Sequence, residues 1–125
     1  MKDDRPVFLN LFQIKMPVTA IVSFMHRVSG VVIFLAIPWL LYLLQCTLLS
    51  ETGFNLWHVW MCGLWFSLGI WLVLVAFGHH LFAGVRHIVM DIGFGETFRA
   101  AVISSYLVLA ADLFWMILMG VWVWC

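Results

Sequence analysis

Residues 18–48 read VTAIVSFMHRVSGVVIFLAIPWLLYLLQCTL, an apolar stretch longer than the about 20 helical residues that cross a hydrocarbon core. Two more stretches of this kind follow, at residues 57–88 and 100–124. None of the three alternates polar and apolar residues as a barrel strand does, so each is predicted to be a transmembrane helix. The predicted fold class is an all-α membrane protein with three transmembrane helices.

The composition of the whole chain agrees with this fold class. Of 125 residues, 66% are hydrophobic and 10% are charged, and the mean hydropathy is +1.11, far above that of a soluble domain. The formal net charge is zero and no basic stripe is present, so nucleic acid is excluded as a partner. The chain is interpreted as one transmembrane domain over residues 1–125, and its many aromatic residues predict packing against other subunits as well as the lipid membrane.

The positive charges predict the orientation of the spans. Basic residues precede the first span and flank the second connection, namely Lys2, Arg5, Lys15, Arg86 and Arg99. The first connection, residues 50–56, contains no Lys or Arg. The positive-inside rule therefore predicts a cytoplasmic N-terminus and second connection, with the first connection and the C-terminus outside. Residues 1–16 are too short to span and are expected at the cytoplasmic interface.

Proline, serine and glycine predict where the helices begin, bend and end. Pro17 is suited to a helix start, where its missing N–H costs no hydrogen bond, whereas Pro38 is expected to kink the first span. The run Ser50-Glu-Thr-Gly53 predicts a turn. Gly93 predicts a C-terminal cap at the end of the second span.

An ionisable pair inside the first span indicates a functional site. Arg27 costs a few kcal/mol near bilayer depth, so a counter-group is expected. Ser23, His26, Arg27 and Gly30 are related by steps of three and four residues and share one face of the helix. The alternative for Arg27 is that its long side chain extends to the interface.

A second polar face is predicted on the second span. His80, Gly84, His87 and Asp91 recur at i, i+4, i+7 and i+11, and Gly84 is expected to leave room beside His80 for a bulky planar group. Both faces are predicted about 10 Å deep from the cytoplasmic side. Imidazole binds iron, and His26 and Arg27 can pair with carboxylates, so the combination suits haem.

Spacing limits how this chain could bind a haem. His80 and His87 are about 10.5 Å apart along a helix, too far to be the two axial ligands of one iron. A second ligand must then come from another chain, or from His58 near the opposite face of the membrane. His79 points about 100° away from His80 and is the rival ligand.

Alternative interpretations stay open at this point. Each histidine could be a structural, hydrogen-bonded residue, and Asp112 in the third span has no assigned role. Cys46, Cys62 and Cys125 are interpreted as small apolar residues, although Cys46 and Cys62 could bridge the first connection. A small transporter could instead use His80 and Asp112 for proton coupling.

Two motifs resemble a known family. Arg5-Pro6-Val7, followed by Leu11, Pro17 and Ser23-x-x-His26-Arg27-x-Ser29, resembles the N-terminal signature of the cytochrome b556 membrane-anchor subunits of succinate dehydrogenase. The run His80-x-x-x-Gly84-Val85-Arg86-His87-Ile88-x-Met90-Asp91-x-Gly93 is similar to the second signature of these subunits. Motif order, length and the three-helix topology extend the resemblance over nearly the whole chain.

The resemblance implies a subunit of a heteromeric complex in the bacterial inner membrane. A second small anchor subunit would share a haem b with this chain, and both would dock a flavoprotein and an iron–sulfur subunit on the cytoplasmic side. Electrons from succinate would reach ubiquinone. The resemblance implies that His80 is the axial haem ligand, that Ser23 and Arg27 bind the quinone, and that His26 and Arg27 contact the haem propionates.

The chemistry of these side chains suits that implied role. A hydroxyl at Ser23 and a guanidinium at Arg27 would supply a proton donor and a positive charge to a quinone oxygen. The chain has no flavin-binding glycine motif and no cysteine cluster, so it is expected to catalyse nothing alone. A fumarate reductase anchor, with the same chemistry in the opposite direction, is the nearest alternative.

Overall fold

The apolar stretches form long helices in a computed structural model that describes residues 16–125. The helices of this part of the chain are α1 (Val18–Leu49), α2 (Glu51–Met61), α3 (Leu64–Asp91) and α4 (Phe98–Trp124). Three of them, α1, α3 and α4, are long and apolar enough to cross a membrane. No strand occurs among the described residues. The predicted all-α membrane fold with three transmembrane helices is confirmed, whereas the expected interfacial segment before Met16 lies outside the described residues.

The predicted helix ends of α1 and α3 have clear local causes. Pro17 adopts φ −64° and ψ 154°, and its carbonyl accepts the Ala20 N–H at 2.9 Å, so α1 begins where expected. At the end of α3, Gly93 has φ 90°, the left-handed region that favours glycine. The Gly93 N–H donates to the Met90 carbonyl at 2.9 Å and the next N–H donates to Val89 at 3.1 Å, the pattern of a Schellman cap.

The first connection differs from the predicted turn. Residues 51–61 form the separate helix α2, and the following span begins at Leu64 rather than at residue 57. Ser50, between the two helices, caps α2, since its hydroxyl accepts the Gly53 N–H at 3.0 Å. Gly53 is needed for close approach, because a Cβ there would collide with the Cys46 carbonyl oxygen. Cys46 and Cys62 are free thiols.

The helices contact one another through small side chains. The core cluster consists of Val22 on α1, Ala83 on α3 and Val108 on α4, with Phe82 and Leu109 packed against it. Most of the large apolar side chains of the spans are exposed. Such surfaces require lipid or other protein around them.

Candidate functional site

Three histidines meet where α1 crosses α3. The His26 ring of α1 stacks on the His80 ring of α3, with centroids 4.2 Å apart and planes at 18°. The His87 ring, two turns further along α3, lies 5.2 Å from His26 at a tilt of 43°. The structure therefore brings together the polar faces that the sequence predicted on two different helices.

Two glycines permit this close approach of imidazole rings. A Cβ at Gly30 would lie 3.0 Å from Cε1 of His80, and a Cβ at Gly84 would lie 3.4 Å from Nε2 of His26. The sequence predicted that Gly84 makes room beside His80, but in the structure Gly30 of the opposite helix faces that ring. Gly84 instead faces His26, so each glycine lies opposite a histidine of the other helix.

Hydrogen bonds at Nδ1 fix the tautomer of His80. The His80 Nδ1–H donates to the His26 carbonyl oxygen at 3.1 Å, and the Ser29 hydroxyl oxygen is 3.2 Å from the same nitrogen. A carbonyl oxygen can only accept, so the proton must be on Nδ1. In the neutral ring Nε2 then carries the lone pair, and Nε2 is the atom through which a metal ion would bind.

His79 faces a different helix from its neighbour. Its Nδ1 lies 2.6 Å from Asp112 Oδ2 on α4, and its side chain is 6% exposed against 17% for Asp112. The pair gives Asp112 a partner within the chain, which the sequence did not identify. Their remaining polar atoms, His79 Nε2 and Asp112 Oδ1, are buried and have no partner among the described residues.

Arg86, which the sequence analysis placed among the basic residues flanking the second connection, is buried inside the helix bundle. Its Nε donates to the Ser104 hydroxyl at 3.0 Å and its Nη2 to the Ala101 carbonyl at 3.3 Å. Arg86 thus joins α3 to the first turns of α4. The sequence contained one signal for this placement. Arg86 follows His79 by seven residues, so the two share one face of the helix.

The other predicted site residues lie nearer the surface. Ser23 is half-buried on α1, and Arg27, the residue after His26, is exposed. Asp91 is exposed at the last position of α3. Arg27 therefore faces away from the helix core, toward whatever surrounds the chain in a membrane.

Comparisons with known proteins match nearly the entire chain. The family model described as "Succinate dehydrogenase/Fumarate reductase transmembrane subunit" matches residues 1–119. A Coxiella burnetii protein named succinate dehydrogenase cytochrome b556 subunit is 40% identical over 125 residues, which cover 99% of this chain and 100% of the relative. A Rickettsia felis protein of the same name is 30% identical over 121 residues, or 95% and 91% of the two chains. A Reclinomonas americana succinate dehydrogenase cytochrome b560 subunit is 27% identical, covering 87% of this chain and 79% of the relative.

Proposed function

This chain belongs to the succinate dehydrogenase/fumarate reductase transmembrane subunit family, and we propose that it is the cytochrome b membrane anchor of a succinate dehydrogenase. Full-length similarity to relatives that carry the succinate dehydrogenase name favours this function over a fumarate reductase anchor or a transporter. The partners are then a flavoprotein subunit, an iron–sulfur subunit and a second small anchor subunit. The complex lies in a bacterial inner membrane, with the N-terminus of this chain in the cytoplasm.

The observation that carries the haem assignment is the hydrogen bonding of His80. Its Nδ1–H is held by the His26 carbonyl at 3.1 Å, which leaves the Nε2 lone pair for iron. Metal-bound histidines commonly donate their second ring N–H to a backbone carbonyl in this way. His79 is less suited, because its Nε2 is buried within the chain. Haem b, once bound, supplies a one-electron redox centre.

Stacking of the rings supports a second axial ligand from another subunit. Two axial nitrogens on one iron are about 4 Å apart with the porphyrin plane between them. The His26 and His80 centroids are themselves only 4.2 Å apart, and the rings are nearly parallel. No macrocycle would fit between these rings, so His26 would not be the second ligand, and in this proposal the second anchor subunit would provide it.

Arg27 and its neighbours fit the acidic and quinone groups that this function requires. Arg27 follows His26 on α1 and is exposed, so its guanidinium can pair with haem propionates. With Ser23 one turn away, Arg27 can also donate hydrogen bonds to a ubiquinone oxygen. Negative charge that develops on that oxygen during reduction would be stabilised by the fixed positive charge.

The haem assignment is tested on the tagged complex purified from membranes. Reduction with dithionite should give b-type absorption bands in the parent complex, and His80→Ala should remove them. His58→Ala is the matched control, since this histidine is exposed on α2, away from the cluster. Bands that persist in His80→Ala would refute the assignment of the ligand.

The quinone assignment is tested with two electron acceptors. Arg27→Leu should lower succinate-dependent ubiquinone reduction much more than succinate oxidation by a soluble artificial acceptor, because only the first reaction needs the membrane site. Arg99→Leu removes an exposed arginine near the start of α4 and should change neither rate. Equal loss of both activities in Arg27→Leu, with the subunits still assembled, would contradict a quinone role.

A further inference from the structure

Ser29 lies in the contact between α1 and α3 but has no role in the function proposed so far. It is only 6% exposed, although its side chain is polar. Its hydroxyl donates to the His26 carbonyl one turn earlier, at 2.8 Å, and its oxygen is 3.2 Å from Nδ1 of His80. The hydroxyl, the carbonyl and the imidazole N–H therefore form one closed set of hydrogen bonds.

The donors and acceptors of this set can be assigned in only one way. The hydroxyl proton goes to the carbonyl, so the hydroxyl oxygen has lone pairs free to accept. The His80 Nδ1–H then donates to two acceptors, the Ser29 oxygen and the His26 carbonyl oxygen. If the ring turned over by 180°, a carbon would replace Nδ1 and both hydrogen bonds would be lost.

From this geometry we propose that Ser29 is a positioning residue for His80. Together with the His26 carbonyl, the Ser29 hydroxyl holds the His80 imidazole with Nδ1 protonated and Nε2 available to the iron. The inference rests on the proposed function, because it concerns the ligand of the proposed haem. Gly30 restrains the ring from another side, since its backbone lets Cε1 approach closely. Ser29 thus provides orientation, and Gly30 provides the space for it.

The surroundings of Ser29 make its hydroxyl hard to replace. Ser29 borders a cleft of about 360 Å³ between α1 and α3, whose other lining residues apart from His79 are apolar. In Ser29→Ala the His26 carbonyl remains as one acceptor of the His80 Nδ1–H, and the apolar cleft offers no polar group in place of the lost hydroxyl. Ser29→Thr keeps a hydroxyl at this position and adds only one methyl group beside the cleft.

The experiment compares three variants of the purified complex. Transfer of haem to excess apomyoglobin should be about tenfold faster from Ser29→Ala than from the parent, as is usual when a hydrogen-bond partner of a metal ligand is removed. The haem potential should shift to more positive values, because an imidazole without this hydrogen bond is a weaker donor to ferric iron. Ser29→Thr should restore both properties.

Ser105→Ala is the matched control, because Ser105 is also buried and also donates to a carbonyl of its own helix, at 2.8 Å. This variant should behave like the parent. Parental haem transfer and potential in Ser29→Ala, or equal changes in Ser105→Ala, would overturn the positioning role. Failure of the proposed haem ligand would be seen separately, because in that case His80→Ala would retain the b-type bands.

A measurement without haem tests the same inference. In the full chain reconstituted in lipid nanodiscs, the histidine ¹⁵N chemical shifts should give His80 as the Nδ1-protonated tautomer, with the signal assigned by its loss in His80→Ala. In Ser29→Ala the His26 carbonyl still accepts the Nδ1–H, so His80 should stay Nδ1-protonated, but its Nδ1 chemical shift should change because one of its two acceptors is lost. An unchanged His80 Nδ1 chemical shift in Ser29→Ala would count against the proposal.

Discussion

Replacing Asp112 by leucine should destabilise the packing of α4 on α3. The carboxylate lies 2.6 Å from His79 Nδ1, and both side chains are largely withdrawn from the surroundings. In Asp112→Leu, His79 would keep a buried ring N–H or lone pair with no partner, which costs about 1–3 kcal/mol. Hydrogen bonds between membrane helices contribute about 0.6–2 kcal/mol, so the lower half of that range is expected.

A double-mutant cycle separates this interaction from the loss of packing. Replacing both partners by apolar residues, in His79→Phe with Asp112→Leu, removes the unsatisfied group and should recover most of the loss. The coupling energy is expected to be about 1–2 kcal/mol. Asp112→Asn keeps an acceptor oxygen and should stay close to the parent.

The assay is equilibrium unfolding of the full chain in mixed micelles with increasing SDS, followed by tryptophan fluorescence. Each variant gives a free energy of unfolding, and the four values of the cycle give the coupling. Additive effects of the two substitutions would refute the reasoning, because the two side chains would then not interact. Destabilisation by Asp112→Asn as large as that by Asp112→Leu would also contradict it.

Three further predictions concern the contacts and caps of α3 and use the same unfolding assay. In Gly78→Ala the new methyl group collides with the Trp115 ring, so the free energy of unfolding should fall by about 1–3 kcal/mol. Gly69→Ala is the control, because its methyl group meets only an ordinary van der Waals contact. Equal stability of the two variants would contradict the close contact of Gly78 with Trp115. Arg86→Leu removes two hydrogen bonds to α4 and should cost about 1–3 kcal/mol, whereas parental stability would mean that these bonds contribute nothing. Gly93→Ala forces a side chain into φ 90° and should cost about 1–2 kcal/mol, and no loss would show that the cap tolerates a Cβ.

The spans were predictable because membrane helices are set by length and hydropathy. Predicted bounds of 18–48, 57–88 and 100–124 compare with 18–49, 64–91 and 98–124 in the structure. The short helix α2 was not predicted, because Ser50 and Gly53 are turn formers in isolation. In the structure, Ser50 caps α2 and Gly53 packs against the Cys46 carbonyl. Local propensity does not predict such contacts.

The site was predictable where helical periodicity governs it. Steps of three and four residues put His26 on one face of α1 and His80 on one face of α3, and the structure brings those faces together. The pairing of His79 with Asp112 was not predictable, because α4 is apolar on all sides and its sequence gives no rotation about the helix axis. Ser29 was a missed signal, since it lies one turn after His26 on the predicted face.

Polar groups inside the spans divide according to where their partners are. The hydrogen bonds of His79 and Arg86 are directed to α4. Ser29 directs its bonds to α1 and α3, so these three residues connect helices of the same chain. His80 differs because only Nδ1 is held and Nε2 remains available, and Arg27 differs because it is exposed at a depth where charge is costly. An exposed charge next to His26 in the chain and a His80 nitrogen that is free to bind a metal are explained together if a cofactor and a second subunit complete the site.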